Sequence, residues 1–160
     1  MAKTPVRFTL NGSEIAVFVD GGANLLDVLR RGVGDLSPKI GCMQGTCGSC
    51  TVLIDGAPHL SCLTLAEAIE GRAVATAGGL AQGPNLHPLQ RAFIEGFAAQ
   101  CGYCTSGMLL AAKALLDTNA SPSRDQVIEA ISGNLCRCTG YEPIIDAVLT
   151  AAAGMRKEAV

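Results

Sequence analysis

The sequence predicts an α+β protein in two parts, an N-terminal half of β-hairpins crossed by one helix and a C-terminal half made only of helices. Three observations predict it. Two stretches, residues 6–19 and 51–62, run apolar on either side of an Asn-Gly or Asp-Gly pair, the strongest short-range hairpin signal. Beyond residue 87 the apolar residues fall at helical spacing instead. Finally, the eight cysteines form two sets, Cys42, Cys47, Cys50, Cys62 and Cys101, Cys104, Cys136, Cys138, with none in the 38 residues between. In a chain of 160 residues each half is about the size at which a hydrophobic core alone is marginal and a metal centre adds stability.

In the N-terminal half, Val6–Leu10 alternates, Asn11-Gly12 turns, and Ile15–Val19 resumes an extended run. Asn24 caps a helix with Asp27 at its third position, and Leu25, Leu26, Val28 and Leu29 supply a buried stripe that ends at Gly32. Thr51–Ile54, a turn at Asp55-Gly56 and His59–Cys62 form the second hairpin. Arg72–Ala77 is a last strand, and residues 1–77 make up the first domain. Glycine, proline and polar residues then replace periodic apolar ones, so residues 78–87 read as a linker.

The second domain, residues 88–160, holds four predicted helices: Pro88–Ala99, Gly107–Asp117, a segment opened by a Ser123/Gln126 capping box and stopped at Gly133, and one that starts near Glu142-Pro143 and runs into an alanine tail. Short connections predict a four-helix bundle. Cys101-Gly102-Tyr103-Cys104 and Cys136-Arg137-Cys138 then occupy two connections at one end, where the N-termini of the second and fourth helices bring partial positive charge.

Composition narrows the function classes. A net charge of −2 with 16% charged residues offers no basic footprint for nucleic acid. Although 49% of residues are hydrophobic, no uninterrupted apolar stretch is long enough to span a bilayer. Met1-Ala2-Lys3-Thr4-Pro5 lacks the apolar region of a signal peptide, so thiols in a reducing cytoplasm are expected rather than disulfides. Few charges and alanine-rich helices suggest surface covered by protein partners. No Ser/His/Asp arrangement, phosphate loop or paired catalytic carboxylates is present, which leaves substrate chemistry to another chain.

The chemistry lies in the thiols. Gly41-Cys42 through Gly48-Ser49-Cys50 has the Cys-x4-Cys-x2-Cys spacing, with a later fourth cysteine, by which plant-type ferredoxins hold a [2Fe-2S] centre. Gly41, Gly45 and Gly48 suit a loop that needs positive φ and close backbone approach to a compact inorganic core. The strand and helix order resembles the β-grasp fold of those ferredoxins. For the second set, spacing leaves two readings open, a second iron–sulfur site or a four-thiolate zinc site.

Three stretches together, Gly41–Val52, Gln100–Thr105 and Gly133–Tyr141, resemble the small iron–sulfur subunit of the molybdenum hydroxylases, the family of xanthine dehydrogenase, aldehyde oxidoreductase, carbon monoxide dehydrogenase and 4-hydroxybenzoyl-CoA reductase. The resemblance covers nearly the whole chain. It implies a β-grasp plant-type ferredoxin-like domain followed by a four-helix bundle domain, with a [2Fe-2S] cluster on each cysteine set. It further implies an electron-transfer role without a substrate site, in a hetero-oligomer with a large molybdenum-pterin subunit and a medium FAD-binding subunit or another acceptor; the alternatives are a free ferredoxin-like carrier, or a subunit of a molybdenum enzyme that reduces or hydrates its substrate. By the same resemblance Gln100 and Cys138 lie against the pterin. Thr105-Ser106-Gly107 departs from the family's usual Thr-Pro-Gly, which removes a restraint at a helix start without touching a ligand.

The remaining candidates have plainer explanations beside the functional ones. With all eight thiols used, His59 and His87 are expected in surface or packing roles. Arg137 either tunes a cluster by its charge or forms an ion pair. Tyr103 and Tyr141 shield the second site, and Phe8, Phe18, Phe93 and Phe97 stand at core spacing. Gln100 has a second reading as a polar helix end bonded to its own backbone.

Overall fold

The computed structural model describes residues 3–158; the outermost residues of the two expected domains, 1–2 and 159–160, lie outside them. Strands β1 (Lys3–Leu10) and β2 (Ser13–Asp20) pair in antiparallel register from Lys3↔Asp20 to Leu10↔Ser13. Asn11 and Gly12 both take positive φ, 52° and 83°, as the tight hairpin turn demands. The second hairpin, β3 (Thr51–Ile54) and β4 (Ala57–Leu60), turns the same way at Asp55 and Gly56. Strand β5 (Ala73–Ala75) lies between them, parallel to β1 and antiparallel to β3. The sheet order β2-β1-β5-β3-β4 is the expected ferredoxin-like arrangement.

Helix α1 starts as predicted, since the Asn24 side chain accepts the Asp27 N–H at 2.8 Å. Only Leu25–Asp27 is α-helical. Val28–Val33 widens to π-helical bonding, and the segment ends at Gly34, φ 86°, two residues beyond the predicted stop. Leu25 and Leu29 nevertheless pack on Val6, Phe8, Val52 and Ile54 in the core of the first half.

Phe8 joins that core, but Phe18 is 71% exposed, contrary to its expected core role. In β2 it points away from the face that Val19 buries, and no further layer covers the outer side.

In the second half α2 spans Pro88–Glu95, α3 Thr105–Thr118, α4 Arg124–Ile131 and α5 Glu142–Glu158. The Ser123/Gln126 capping box forms reciprocally. Helix α2 stops four residues early. Phe97 takes φ 52°, its N–H reaches Ile94 O, and the Ala98 N–H reaches Phe93 O, which is a Schellman stop built on a non-glycine residue. Phe97 thereby leaves the core line and is 82% exposed, a second correction to the aromatic assignment, whereas Phe93 is buried as expected.

Strand β3 serves the cores of both halves. In β3 successive side chains face opposite ways: Val52 and Ile54 point into the first core, while Leu53 packs with Met108, Leu109 and other residues of the helical core. All four β3 residues are buried. Leu80, inside the stretch read as a linker, is also part of the helical core. At the seam Thr76, fully buried, donates through Oγ1 to Asp35 at 2.6 Å, and its N–H donates to Asn11 at 2.8 Å. That network ties the β1–β2 turn to the segment leading into the first cysteine loop.

Candidate metal centres

The first cysteine loop follows the β-grasp helix and runs straight into β3, so sheet pairing places Cys50 and, through the β3–β4 hairpin, Cys62. The Ser61 N–H and hydroxyl both donate to Cys50 O, at 3.3 and 2.7 Å, which closes that register. Cys50 and Cys62 are buried, Cys42 and Cys47 half-buried. Backbone N–H groups of Gln44 and Thr46 point at Cys42 Sγ, at 3.5 and 3.3 Å, as the inward-facing amides of a cluster loop should. Gly41 does not have positive φ, contrary to the general expectation for the loop glycines. Its requirement is space, because a Cβ there would lie 2.5 Å from Cys47 Sγ. Gly48, at φ 69°, does need the left-handed region.

The second loop pair joins α2 to α3 and α4 to α5. Cys104 is the N-cap residue of α3, which places its backbone at the positive end of that helix. The Cys136 N–H donates to the Tyr141 hydroxyl at 3.0 Å, Cys136 Sγ meets Thr139 Oγ1 at 3.1 Å, and the Tyr141 N–H returns to Thr139 at 3.2 Å. Tyr141 thus braces the loop from within. Tyr103 is half-exposed, and its hydroxyl donates to Ile40 O at 2.5 Å, across to the approach of the first loop.

All eight cysteines are free thiols, and they neighbour one another in pairs: Cys42 with Cys47, Cys50 with Cys62, Cys101 with Cys138, and Cys104 with Cys136. Cys42 also acts electrostatically on Cys62, and Cys101 on Cys104. Among the described residues no three such side chains gather tightly enough to hold a single metal ion. Thiols in pairs suit a two-iron core with two thiolates on each iron.

The pairing also splits the acidities. Hydrogen bonds from the Thr46 side chain and the Gln44 N–H hold the Cys42 thiol down at about 5. Burial, then its neighbour Cys50, pushes Cys62 up to about 11. Cys104 is pushed up to about 12 by burial and then by Cys136. Burial also acts to raise Cys136, but hydrogen bonds from Thr139 and from the Cys138 backbone outweigh it and leave that thiol below its ordinary value. Contact with Cys101 raises Cys138. Each set thus contains one thiol held below its ordinary value, Cys42 or Cys136, and one raised by burial, Cys62 or Cys104.

Cys101 and Cys138 form the exposed edge of the second quartet. Gln100 is exposed beside them. It lies five residues past the end of α2, so the reading of Gln100 as a helix end has no helix to stand on. Arg137 is exposed and forms no ion pair among the described residues. His59 is exposed on β4. His87 caps α2, with Nδ1 accepting the Leu89 N–H at 3.2 Å, a role that its residue type gave no reason to expect.

Two family models match the chain, a 2Fe-2S iron-sulfur cluster binding domain over residues 8–81 and a [2Fe-2S] binding domain over residues 76–149. The chain is 50% identical to the nicotine 6-hydroxylase small subunit of Paenarthrobacter nicotinovorans, over 93% of this chain and 90% of that one. It is 47% identical to aldehyde oxidoreductase of Megalodesulfovibrio gigas over 91% of this chain, but covers only 16% of that protein. Its fold superposes on a chain of the crystal structure of quinoline 2-oxidoreductase from Pseudomonas putida 86 with a TM-score of 0.94 and 49% identity, covering both chains fully. Two cluster-domain matches and small-subunit relatives of the same length make this chain a member of the molybdenum hydroxylase family, as its iron–sulfur small subunit: the electron-transfer, non-catalytic component of a heteromeric molybdenum-cofactor oxidoreductase.

Proposed function

We propose that Cys42, Cys47, Cys50 and Cys62 hold one [2Fe-2S] cluster and Cys101, Cys104, Cys136 and Cys138 the other, in a chain that links a molybdenum-pterin subunit to an FAD subunit. The observation that carries this reading is the pairing of eight free thiols, spread over the first cysteine loop, the end of the β3–β4 hairpin and two interhelical loops. When bound, the clusters supply one-electron transfer in series between the partners' cofactors.

The chain's own residues bind and shield. Residues 1–77 serve as the ferredoxin-like domain, 78–87 as the connection, and 88–160 as the helical domain. Ser61 and the β3–β4 hairpin hold Cys62 beside Cys50, and burial of both keeps water from that side of the first site. Tyr141 and Thr139 hold Cys136 in place. Gln100, Cys101 and Cys138 are exposed, and this edge would face the pterin, where the Gln100 carboxamide would offer it a hydrogen bond and the Cys138 sulfur a contact. The first quartet then lies on the flavin side. No helix among the described residues is long and apolar enough to cross a membrane. The eight free thiols support a reducing compartment, and there we place the complex, in the cytoplasm.

The test is spectroscopic. Reductive titration of the purified complex should show two distinct [2Fe-2S] signals, and Cys62→Ser should abolish one while sparing the other. A single signal in the wild type refutes the proposal. A Gln100→Ala complex that assembles and turns over at the wild-type rate removes Gln100 from the pterin contact.

A further inference from the structure

The two cysteine loops are riveted to each other at one buried point. Asn134, two residues before Cys136, is 4% exposed although its side chain is a carboxamide. Its Nδ2 donates to Gly48 O at 2.9 Å and lies 3.4 Å from Thr51 Oγ1. The next residue, Leu135, donates its N–H to Cys47 O at 2.9 Å. Two consecutive carbonyls of the first loop, on Cys47 and Gly48, are thus held by two consecutive residues that lead into the second.

The surroundings leave no slack. A Cβ on Gly48 would collide with Gly133 O and the Asn134 side chain, and a Cβ on Gly107, in the first turn of α3, would collide with Gly48 O. The Gly48 carbonyl also accepts the Thr51 N–H and hydroxyl, at 3.0 and 2.7 Å, but those donors belong to its own loop. Among the side chains, Asn134 makes the buried bond that crosses from one loop to the other. The Tyr103 bond to Ile40 crosses too, but at a half-exposed position.

We propose that Asn134 is a positioning residue for electron transfer within this chain: by donating to Gly48 O it keeps Leu135 on the Cys47 carbonyl and so fixes the spacing and orientation of the two thiol quartets. The inference rests on the two-cluster reading above. The single electron that leaves one centre is the one the other gains, with no bond made or broken, so the chain's contribution is the geometry it maintains between them. A buried carboxamide is kept where a hydrophobe would cost less because only a directed donor can hold that carbonyl.

The experiment uses the complete complex with Asn134→Leu, which keeps the volume and deletes the donor, and Asn134→Asp, which keeps the shape and turns an acceptor toward Gly48 O. Thr51→Val is the comparison, because it removes the hydroxyl that donates to Gly48 O and that Asn134 meets at 3.4 Å, but leaves the 2.9 Å bond from Asn134 to Gly48 O in place. The readout is the magnetic splitting between the two reduced centres, together with hydrogen exchange at the Leu135 amide. Both Asn134 variants should retain both signals but lose or change the splitting, and Leu135 exchange should quicken about tenfold or more. Thr51→Val should leave the splitting as in the wild type.

Unchanged splitting in both Asn134 variants overturns the proposal. So does failure of both to take up iron, which assigns Asn134 to assembly rather than to positioning. A wild-type complex with only one signal refutes the two-cluster reading instead, so the two failures are distinguishable.

Discussion

At His87 a neutral imidazole does the work of a cap: Nδ1 accepts the Leu89 N–H, and Gln90 Oε1 accepts the His87 N–H at 3.0 Å. Burial first, and then Lys113, lower the pKa of this histidine, with Asp117 opposing. With the folded pKa below the unfolded value of about 6.5, the unfolded chain takes up the proton first as pH falls, so stability is lost between about 6.5 and the folded pKa and is intact above that window. His87→Ala should cost about 1 kcal/mol near pH 8 and flatten the acid slope, whereas His87→Asn should keep the cap and still flatten it. Urea denaturation across that range measures both. Gly41→Ala makes a sharper case, since its Cβ would sit 2.5 Å from Cys47 Sγ. That variant should lose the first iron site and keep the second, halving the iron content. The two cysteine sets proposed as ligands could be picked out in the sequence because their spacing is itself the signal. The His87 cap could not, because histidine is an unusual capping residue, and Asn134 could not, because its partner lies 86 residues away.

Strand β3 and helix α2 carry the lesson at the level of elements. The hairpins could be read from Asn11-Gly12 and Asp55-Gly56, since both turns need positive φ at both central residues. Alternation in β3 could not be assigned, because a strand covered on both faces has no polar side to mark its period. Leu53→Ala should cost about 2–5 kcal/mol, as for other buried leucines, and should loosen the helical half most, which exchange protection in α3 would reveal. Equal loss of protection in β1 and α3 would contradict that assignment. Helix α2 was expected to run past its true end because the apolar spacing continues through Phe97 beyond Gly96, which caps the helix, and only the backbone shows that Phe97 takes the left-handed turn. Phe97→Gly should stabilise the isolated chain by about 0.5 kcal/mol, since glycine relieves the left-handed strain at some cost in chain entropy. Thermal melting tests it.

For the molecule as a whole, the two halves are neither independent beads nor one seamless domain. They share Leu53, Leu80 and the Asn134 rivet, while each keeps its own quartet of thiols. Removal of iron should therefore destabilise both halves together, and acid should strip the proposed clusters, because protons compete with metal for thiolate sulfur. The seam was invisible in the sequence for the reason that makes it useful: its contacts join residues far apart in the chain and carry no local pattern. The central claim is that two thiol quartets each enclose a two-iron core, and metal and sulfide analysis of anaerobically purified protein tests it most directly. The account predicts four iron and four inorganic sulfide per chain, the sum of two [2Fe-2S] centres, with no zinc. Two iron with one zinc, or two iron alone, would contradict it.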